Sequence, residues 1–369
     1  MLQEAIYVRD QDVLKVSVER REVLLKSDEI LNFPRIIELE GDRLVLAYGC
    51  GRHGGQETRP VAISNDFGKT WLDAPPDFPM ADNVQTSGIM GYSRDGTIAY
   101  IDVMPLNVKW SGPHEPYHHV ANVEDPIFRL RRFSKKAELL DDSTFRVLNL
   151  PWKSASYELY GTLLEMEDGD LLTAFQAQVG TPSETRCDFT TFVVRSSDGG
   201  NSFEHVWTFS PEIDGKPVGD QGLCEPDMAV LANGDILCMM RTGSGSPMYQ
   251  SRSTDGGWTW SEPLSIGWQG VKPHVRLLSN GVLACSAGRG IYGHPQITHA
   301  MFSLDGTGDV WEYPFAFHTG PGCSYTSNME RDGKFYVVYS HSSFWSPAGT
   351  YGLPYHSIKC AVLNLVLSH

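Results

Sequence analysis

Two apolar segments flank a short glycine-containing turn at six places along this chain. The turn is Asp-Gly or Asn-Gly in five copies and Glu-Gly-Asp in the first. Asp-Gly and Asn-Gly favour the turns whose twist matches a two-residue β-hairpin, so each copy predicts a hairpin. Because no segment with helical periodicity interrupts the six hairpins, they favour an all-β propeller over a pair of β-sandwiches. The turn glycines are Gly41, Gly96, Gly169, Gly234, Gly281 and Gly333.

A second pattern comes after several of the hairpins, with Ser, Asp, Gly and an aromatic residue at offsets 0, 2, 4 and 7. Copies begin at Ser64, Ser196 and Ser253, and a degenerate copy begins at Ser303. The spacing predicts a self-contained turn, in which the aspartate accepts hydrogen bonds from nearby backbone N–H groups. The glycine takes a positive φ and the aromatic ring packs beneath the turn. We therefore assign these copies to the architecture of the protein.

These turns are similar to the Asp-boxes of the sialidase superfamily, and together with the hairpins the resemblance covers nearly the whole chain. The resemblance implies a six-bladed β-propeller with four-stranded antiparallel blades. Residues 1–369 are then expected to form a single propeller domain. An active site is implied at the propeller axis, where first strands begin and second strands end, whereas the boxes are implied to lie on outer strands.

The positions expected to face the axis carry the side chains that sialidase-like enzymes use. Among them, the residues that we expect to bind substrate are Arg35, Arg52, Asp102, Gln176, Arg241, His274 and Arg289. Tyr160 and His341 lie at equivalent positions.

Three of these arginines, Arg35, Arg241 and Arg289, resemble the arginine triad of sialidases. A guanidinium offers a bidentate fork to a carboxylate, so three of them suit an acidic sugar. Arg35 comes after its proline in Phe-Pro-Arg-Ile, whereas the usual sialidase order is Arg-Ile-Pro.

Glu225 opens the fourth hairpin and Tyr325 opens the sixth. In sialidases these positions hold a glutamate that deprotonates a tyrosine nucleophile, an exception among glycosidases. A phenol approaches a carboxylate-bearing anomeric centre while still neutral and is activated there by the glutamate. The resemblance thus implies Tyr325 as nucleophile and Glu225 as its base.

Sialidases also carry a general-acid aspartate in the loop after the first hairpin. Here residues 51–59 contain no aspartate, and the candidates are Glu57 and His53. This departure, together with the changed order around Arg35, leaves open another acidic or neutral sugar as substrate.

Net charge and cysteine content limit the partners that we expect. The formal net charge of −15 disfavours nucleic acid and anionic membranes, although a local cationic pocket remains compatible with it. The seven cysteines are widely spaced and contain no CxxC pair, which disfavours a disulfide framework or zinc cluster. We expect no cofactor and no metal. A histidine-rich segment at 110–119 is more consistent with a substrate-covering loop or a dimer contact.

The charged N-terminal segment lacks the apolar core of a signal peptide, and no stretch is apolar enough to span a membrane. We therefore expect a cytoplasmic protein. The expected function is a sialidase-like exo-glycosidase that acts on a glycan or small sugar with retention of configuration. The alternatives are a glycosidase or lyase for a different sugar, and a carbohydrate-binding propeller without catalytic activity.

Overall fold

The computed structural model describes residues 4–51, 60–81, 84, 88–103, 123–179, 189–243, 245–289, 297–320, 325–342 and 353–369. These residues form thirty β-strands and no helix, so the described chain contains no helix that could cross a membrane. In chain order the strands are β1 (Glu4–Arg9), β2 (Asp12–Ser27), β3 (Leu31–Glu38), β4 (Leu44–Cys50), β5 (Val61–Ser64), β6 (Leu72–Asp73), β7 (Ile89–Tyr92), β8 (Ile98–Val103), β9 (Val123–Glu124), β10 (Phe128–Phe133), β11 (Leu139–Phe145), β12 (Val147–Leu148), β13 (Ser154–Glu158), β14 (Leu164–Glu165), β15 (Leu171–Gln178), β16 (Phe189–Ser196), β17 (Phe203–Thr208), β18 (Glu212–Ile213), β19 (Lys216–Pro217), β20 (Cys224–Val230), β21 (Ile236–Arg241), β22 (Pro247–Ser253), β23 (Leu264–Gln269), β24 (Val271–Leu277), β25 (Leu283–Gly288), β26 (Ile297–Ser303), β27 (Phe315–Thr319), β28 (Thr326–Arg331), β29 (Lys334–His341) and β30 (His356–Ser368).

Six sheets of four or more strands make the fold a six-bladed β-propeller, which confirms the prediction. Four sheets have four strands, in the orders β3-β4-β5-β6, β7-β8-β10-β11, β20-β21-β22-β23 and β24-β25-β26-β27. The sheet β1-β2-β30-β29-β28 has a fifth strand, and the sheet around β15 and β16 has seven because short strands extend it. A separate two-stranded sheet pairs β18 with β19.

The predicted hairpins connect β3 to β4, β7 to β8, β14 to β15, β20 to β21, β24 to β25 and β28 to β29. All six turn glycines have φ between +68° and +89°, the region that disfavours side chains. At Gly234 a Cβ atom would meet nothing within 4 Å, so backbone conformation and not space requires glycine there.

The longest strand pairing joins the two ends of the chain. β2 runs antiparallel to β30, from Val13 opposite Ser368 to Ser27 opposite His356. One sheet is therefore built from the N-terminal strands together with the last three strands of the chain.

The Asp-box turns have the predicted internal bonding. In the copy at 253–260, Ser253 Oγ donates to Asp255 Oδ1 at 2.8 Å and accepts from the Gly257 N–H at 2.8 Å. The Trp260 indole N–H donates to the Gly257 carbonyl at 3.0 Å and closes the turn. The four copies connect β5 to β6, β16 to β17, β22 to β23 and β26 to β27, as expected for architectural turns.

Contacts along the chain divide it into two compact units, each with its own apolar core. The first comprises Met1–Thr86, Leu231–Asn233 and Trp268–His369, and one of its clusters contains Phe302, Phe317 and Tyr339. The second comprises Ser87–Val230 and Gly234–Gly267, with a cluster that includes Phe128, Phe175 and Phe192. Each of these two clusters combines six buried aromatic side chains with eleven aliphatic ones.

Candidate active site

Within the second unit, Glu225 and Arg241 form a buried ion pair. Glu225 lies on β20, and Arg241 is the last residue of the neighbouring strand β21. Arg241 Nη1 donates to Glu225 Oε1 at 2.7 Å, and the two side chains are 7% and 6% exposed. The guanidinium therefore compensates the charge that burial would otherwise disfavour on the carboxylate. Two residues that the sequence places in the site are thus in direct contact.

Gln176 connects this ion pair to a second carboxyl group. Its Oε1 accepts a hydrogen bond from the Glu225 backbone N–H at 2.6 Å, and its Nε2 donates to Glu158 Oε2 at 3.2 Å. Glu158 is opposite Gln176 in the pairing of β13 with β15. The Tyr160 hydroxyl also donates to Glu158 Oε2, at 3.2 Å. Gln176 thus joins the backbone of Glu225 to the carboxyl group of Glu158, which the Tyr160 phenol also contacts.

The carboxyl group of Glu158 has an altered acidity. Burial and the nearby negative charge of Glu225 raise its pKa from 4.5 to about 7, against the opposing effects of Tyr160, Arg241 and Gln176. At neutral pH a substantial fraction of Glu158 is therefore protonated. Such a carboxyl group can donate a proton.

The sequence analysis missed Glu158, although it placed Tyr160 and Gln176 in the site. Glu158 lies two residues before Tyr160, and its partner Gln176 is given by the hairpin register. The signal for Glu158 was that it is the one charged residue of the segment Ser154–Tyr160 and lies directly opposite a predicted site residue.

In the first unit, Tyr325 lies immediately before β28 and is 2% exposed. Its ring stacks on that of Phe33, with centroids 4.2 Å apart and an interplanar angle of 29°. The Arg289 guanidinium carbon lies 5.8 Å from the centroid of the Tyr325 ring. This distance is within the range of a cation–π contact. Tyr325 and Arg289, both predicted as site residues, are therefore close neighbours.

Lys272 adds a cation to this group that the sequence analysis did not identify. The lysine is 5% exposed, and its Nζ lies 6.0 Å from the centroid of the Phe33 ring. Burial and the nearby charges of Arg276, Arg35 and Lys272 hold the pKa of His274 well below its usual value. Lys272 and Arg35 therefore both lie near His274. The Phe33–Tyr325 pair therefore lies in a cationic environment.

His274 is a neutral residue that links two strands. Its Nδ1 accepts a hydrogen bond from the Asn328 backbone N–H at 2.8 Å, and its carbonyl accepts from Asn328 Nδ2 at 2.7 Å. The last residue of β29, His341, packs edge-on against His318 with ring centroids 4.6 Å apart.

The first strands of three sheets share an unusual backbone feature. Phe33, Glu225 and Lys272 each precede a proline and have φ of +48°, +45° and +45°. The strand register shifts at each of these positions. Residues before proline prefer extended backbone, so each costs about 1–3 kcal/mol of strain, which proteins concentrate at functional sites. Lys272-Pro273 lies near the start of its strand, as Glu225-Pro226 does in another sheet, and this correspondence was the sequence signal that could have identified Lys272.

Asp102 makes an ion pair within its own sheet. Its Oδ2 accepts a hydrogen bond from Arg131 Nη1 at 3.1 Å, and the two side chains are 5% and 4% exposed. Arg131 lies on β10, the strand next to β8.

Several predictions fall on residues outside the described part of the chain. They are Arg52, His53 and Glu57 and the segment 110–119. Among the described residues, no group of three or more His, Cys, Asp or Glu side chains could hold a metal ion.

The fold and the Asp-boxes define a propeller protein of the BNR-repeat class. Residues 129–337, more than half of the chain, match the family of BNR repeat-like domains. The chain therefore belongs to that family. This confirms the predicted resemblance to the superfamily of sialidase and BNR-repeat propellers.

Three solved structures illustrate the similarity of fold. A protein of unknown function from Dyadobacter fermentans has a TM-score of 0.69 at 17% identity, over 95% of this chain and 99% of that one. The leech intramolecular trans-sialidase has a TM-score of 0.59 at 14% identity, over 94% and 70%. A Trypanosoma rangeli sialidase, in a complex described as a covalent intermediate with 2,3-difluorosialic acid, has a TM-score of 0.58 at 14% identity, over 90% of this chain and 54% of that one. No curated protein sequence matches.

Proposed function

We propose that this protein is an exo-acting glycoside hydrolase of the sialidase type, which removes a terminal acidic sugar with retention of configuration. The observation that carries the proposal is the environment of Tyr325. This phenol is buried, stacked on Phe33 and close to the Arg289 guanidinium. A fixed phenol beside positive charge suits a nucleophile that must approach an anionic sugar.

In the proposed first step, Glu225 removes the proton of the Tyr325 hydroxyl. The phenolic oxygen then bonds to the anomeric carbon while the bond to the leaving-group oxygen breaks. An acid, for which the sequence offers Glu57 and His53, protonates that leaving oxygen. The buried carboxylate of Glu225, already held by Arg241, supports its role as base.

In the proposed second step, water attacks the same carbon and the phenolic oxygen leaves. The acid–base residue takes up a proton from water, and Glu225 returns its proton to Tyr325. Two inversions at one carbon give net retention.

The cationic residues of the proposed site would bind the sugar carboxylate. Arg35, Arg241 and Arg289 are assigned this role, with Arg52, Asp102, Gln176 and His274 as further substrate contacts. Lys272, 5% exposed and close to Phe33, supports the preference for an anionic sugar.

The test is hydrolysis of a methylumbelliferyl α-glycoside of sialic acid by the full chain. We expect turnover by the wild type, an α-configured first product by proton NMR, and loss of turnover in Tyr325→Phe with an unchanged melting temperature. Tyr336→Phe is the matched control, because this tyrosine packs against Phe67 elsewhere in the first unit. An unsaturated product would identify a lyase instead. Binding of sialic acid without turnover would identify a carbohydrate-binding propeller.

A further inference from the structure

Glu158 is half-buried and poorly compensated as an anion. Part of its side chain remains exposed to solvent. Its two hydrogen-bond donors among the described residues, the Tyr160 hydroxyl and the Gln176 amide, are both neutral. A buried carboxylate with a purely structural role usually has a cationic partner in contact, as Glu225 has in Arg241. Glu158 therefore has the environment of a group that holds a proton.

The orientation of Glu158 is fixed by its neighbours. The Glu225 backbone N–H requires an oxygen of the Gln176 amide, so the Gln176 nitrogen faces Glu158. Both donors to Glu158 end on Oε2. Among the described residues this leaves Oε1 to carry the proton.

Glu158 and Glu225 have like charges in one hydrogen-bonded group but different surroundings. Arg241 contacts the Glu225 carboxylate, whereas burial and the charge of Glu225 disfavour the ionised form of Glu158. A carboxyl group that keeps its proton near an ion-paired carboxylate can act as the acid of a reaction. The charged and titratable groups that act on Glu158 are Glu225, Arg241 and Tyr160.

We propose that Glu158 is the acid–base catalyst of the reaction, a role that rests on the proposed glycosidase function. As the bond between the anomeric carbon and the leaving oxygen breaks, its electron pair stays on that oxygen, and the Glu158 Oε1 proton transfers to it. In the second step the Glu158 carboxylate takes a proton from the attacking water and is restored. Gln176 is a positioning residue in this scheme.

The test compares two substrates whose leaving groups need different amounts of protonation. Cleavage of sialyllactose releases lactose through an alcohol oxygen, which needs a proton from an acid as it leaves. Cleavage of the methylumbelliferyl glycoside releases methylumbelliferone as a stabilised phenolate, which needs little protonation. For Glu158→Gln we expect kcat/KM on sialyllactose to fall about 100- to 10,000-fold. On the methylumbelliferyl glycoside we expect kcat/KM to fall less than about tenfold, because this leaving group needs little help from an acid. The alkaline limb of the pH profile should disappear in this variant.

The controls separate this proposal from the proposed function. Glu262→Gln, at an exposed glutamate of the same unit, should match the wild type on both substrates. Equal losses on both substrates in Glu158→Gln, or no loss, overturn the assignment. The same is true if Glu57→Gln or His53→Gln shows the leaving-group dependence and Glu158→Gln does not. If the wild type hydrolyses neither substrate, the proposed function itself is wrong.

Discussion

The ring of Tyr325 lies against the ring of Phe33, and Phe33 itself has a strained backbone conformation before a proline. The two centroids are 4.2 Å apart, and Phe33 has a φ of +48°. The backbone conformation of Phe33 determines where its ring lies. Because the Tyr325 ring stacks on that ring, the Phe33 backbone also limits the side-chain torsions that Tyr325 can adopt. The geometry thus gives the proposed nucleophile a defined orientation before any substrate binds.

Replacement of Phe33 by leucine should reduce kcat about tenfold or more while changing KM less, because the phenol loses its stacking partner and its alignment. Steady-state kinetics on the methylumbelliferyl glycoside measure the effect. The matched control is Phe67→Leu, at another phenylalanine with positive φ that contacts a tyrosine, Tyr336. Equal kcat values in the two variants would contradict an orienting role for Phe33.

Asp102→Asn should destabilise the protein by about 3–5 kcal/mol, because it leaves the Arg131 guanidinium buried next to a neutral amide. Both side chains of that pair are no more than 5% exposed. Chemical denaturation measures the loss. Asp125→Asn, which weakens a pair with Arg146 whose side chains are 49% (Arg146) and 73% (Asp125) exposed, should cost about 1 kcal/mol or less. A raised KM in Asp102→Asn with unchanged stability would instead assign Asp102 to substrate binding alone.

Ser253→Ala should lower the free energy of unfolding by about 1–3 kcal/mol without changing kcat/KM. The serine hydroxyl is buried, and its loss removes a bond to Asp255 and leaves the Gly257 N–H without its acceptor. Thr254→Ala in the same turn is the control, since Thr254 is exposed. Loss of activity in Ser253→Ala at full stability would show that the turn does more than support the fold.

Acid should destabilise the folded state through His318 and His341. Burial, with nearby positive charges, lowers their pKa values to about 3 and about 4. Below pH ~6.5 these two histidines bind protons in the unfolded chain but stay neutral in the folded protein. The free energy of unfolding is therefore unaffected by them only above that pH. Each histidine then removes about 1.4 kcal/mol of stability per pH unit as the pH falls toward its folded pKa.

Urea unfolding at pH 7 and pH 5 measures this dependence. His318→Gln should reduce the loss between the two values by about 1–2 kcal/mol. A pH dependence in His318→Gln equal to that of the wild type would exclude His318 as its source.

The sequence predicted the parts of the fold that local chemistry determines. Asp-Gly and Asn-Gly turns fix hairpins within a few residues, and the Asp-box closes on itself through bonds such as that of Ser253 with Asp255. The pairing of β2 with β30 joins residues more than 300 positions apart, and no local pattern marks it. The parallel contact of β12 with β17 was missed for the same reason.

Resemblance and hairpin position singled out Glu225, Arg241, Tyr325 and Arg289. The structure places Arg241 against Glu225 and Arg289 close to Tyr325, and their roles in a site stay predictions. Glu158 was missed because its acidity depends on burial and on the charge of Glu225, neither of which is visible along the chain. Lys272 was missed because the equivalence of its Lys-Pro step to Glu225-Pro226 becomes clear only from the backbone conformation.

The most direct test of the account is covalent trapping with 2,3-difluorosialic acid, the compound bound in the Trypanosoma rangeli covalent intermediate. Intact-protein mass spectrometry of the wild type should show one added fluorosialyl group, and peptide mapping should place it on Tyr325. The adduct should be absent in Tyr325→Phe and present in Tyr336→Phe. An adduct on any other residue, or turnover of the methylumbelliferyl glycoside without an adduct on Tyr325, would contradict the tyrosine-nucleophile mechanism.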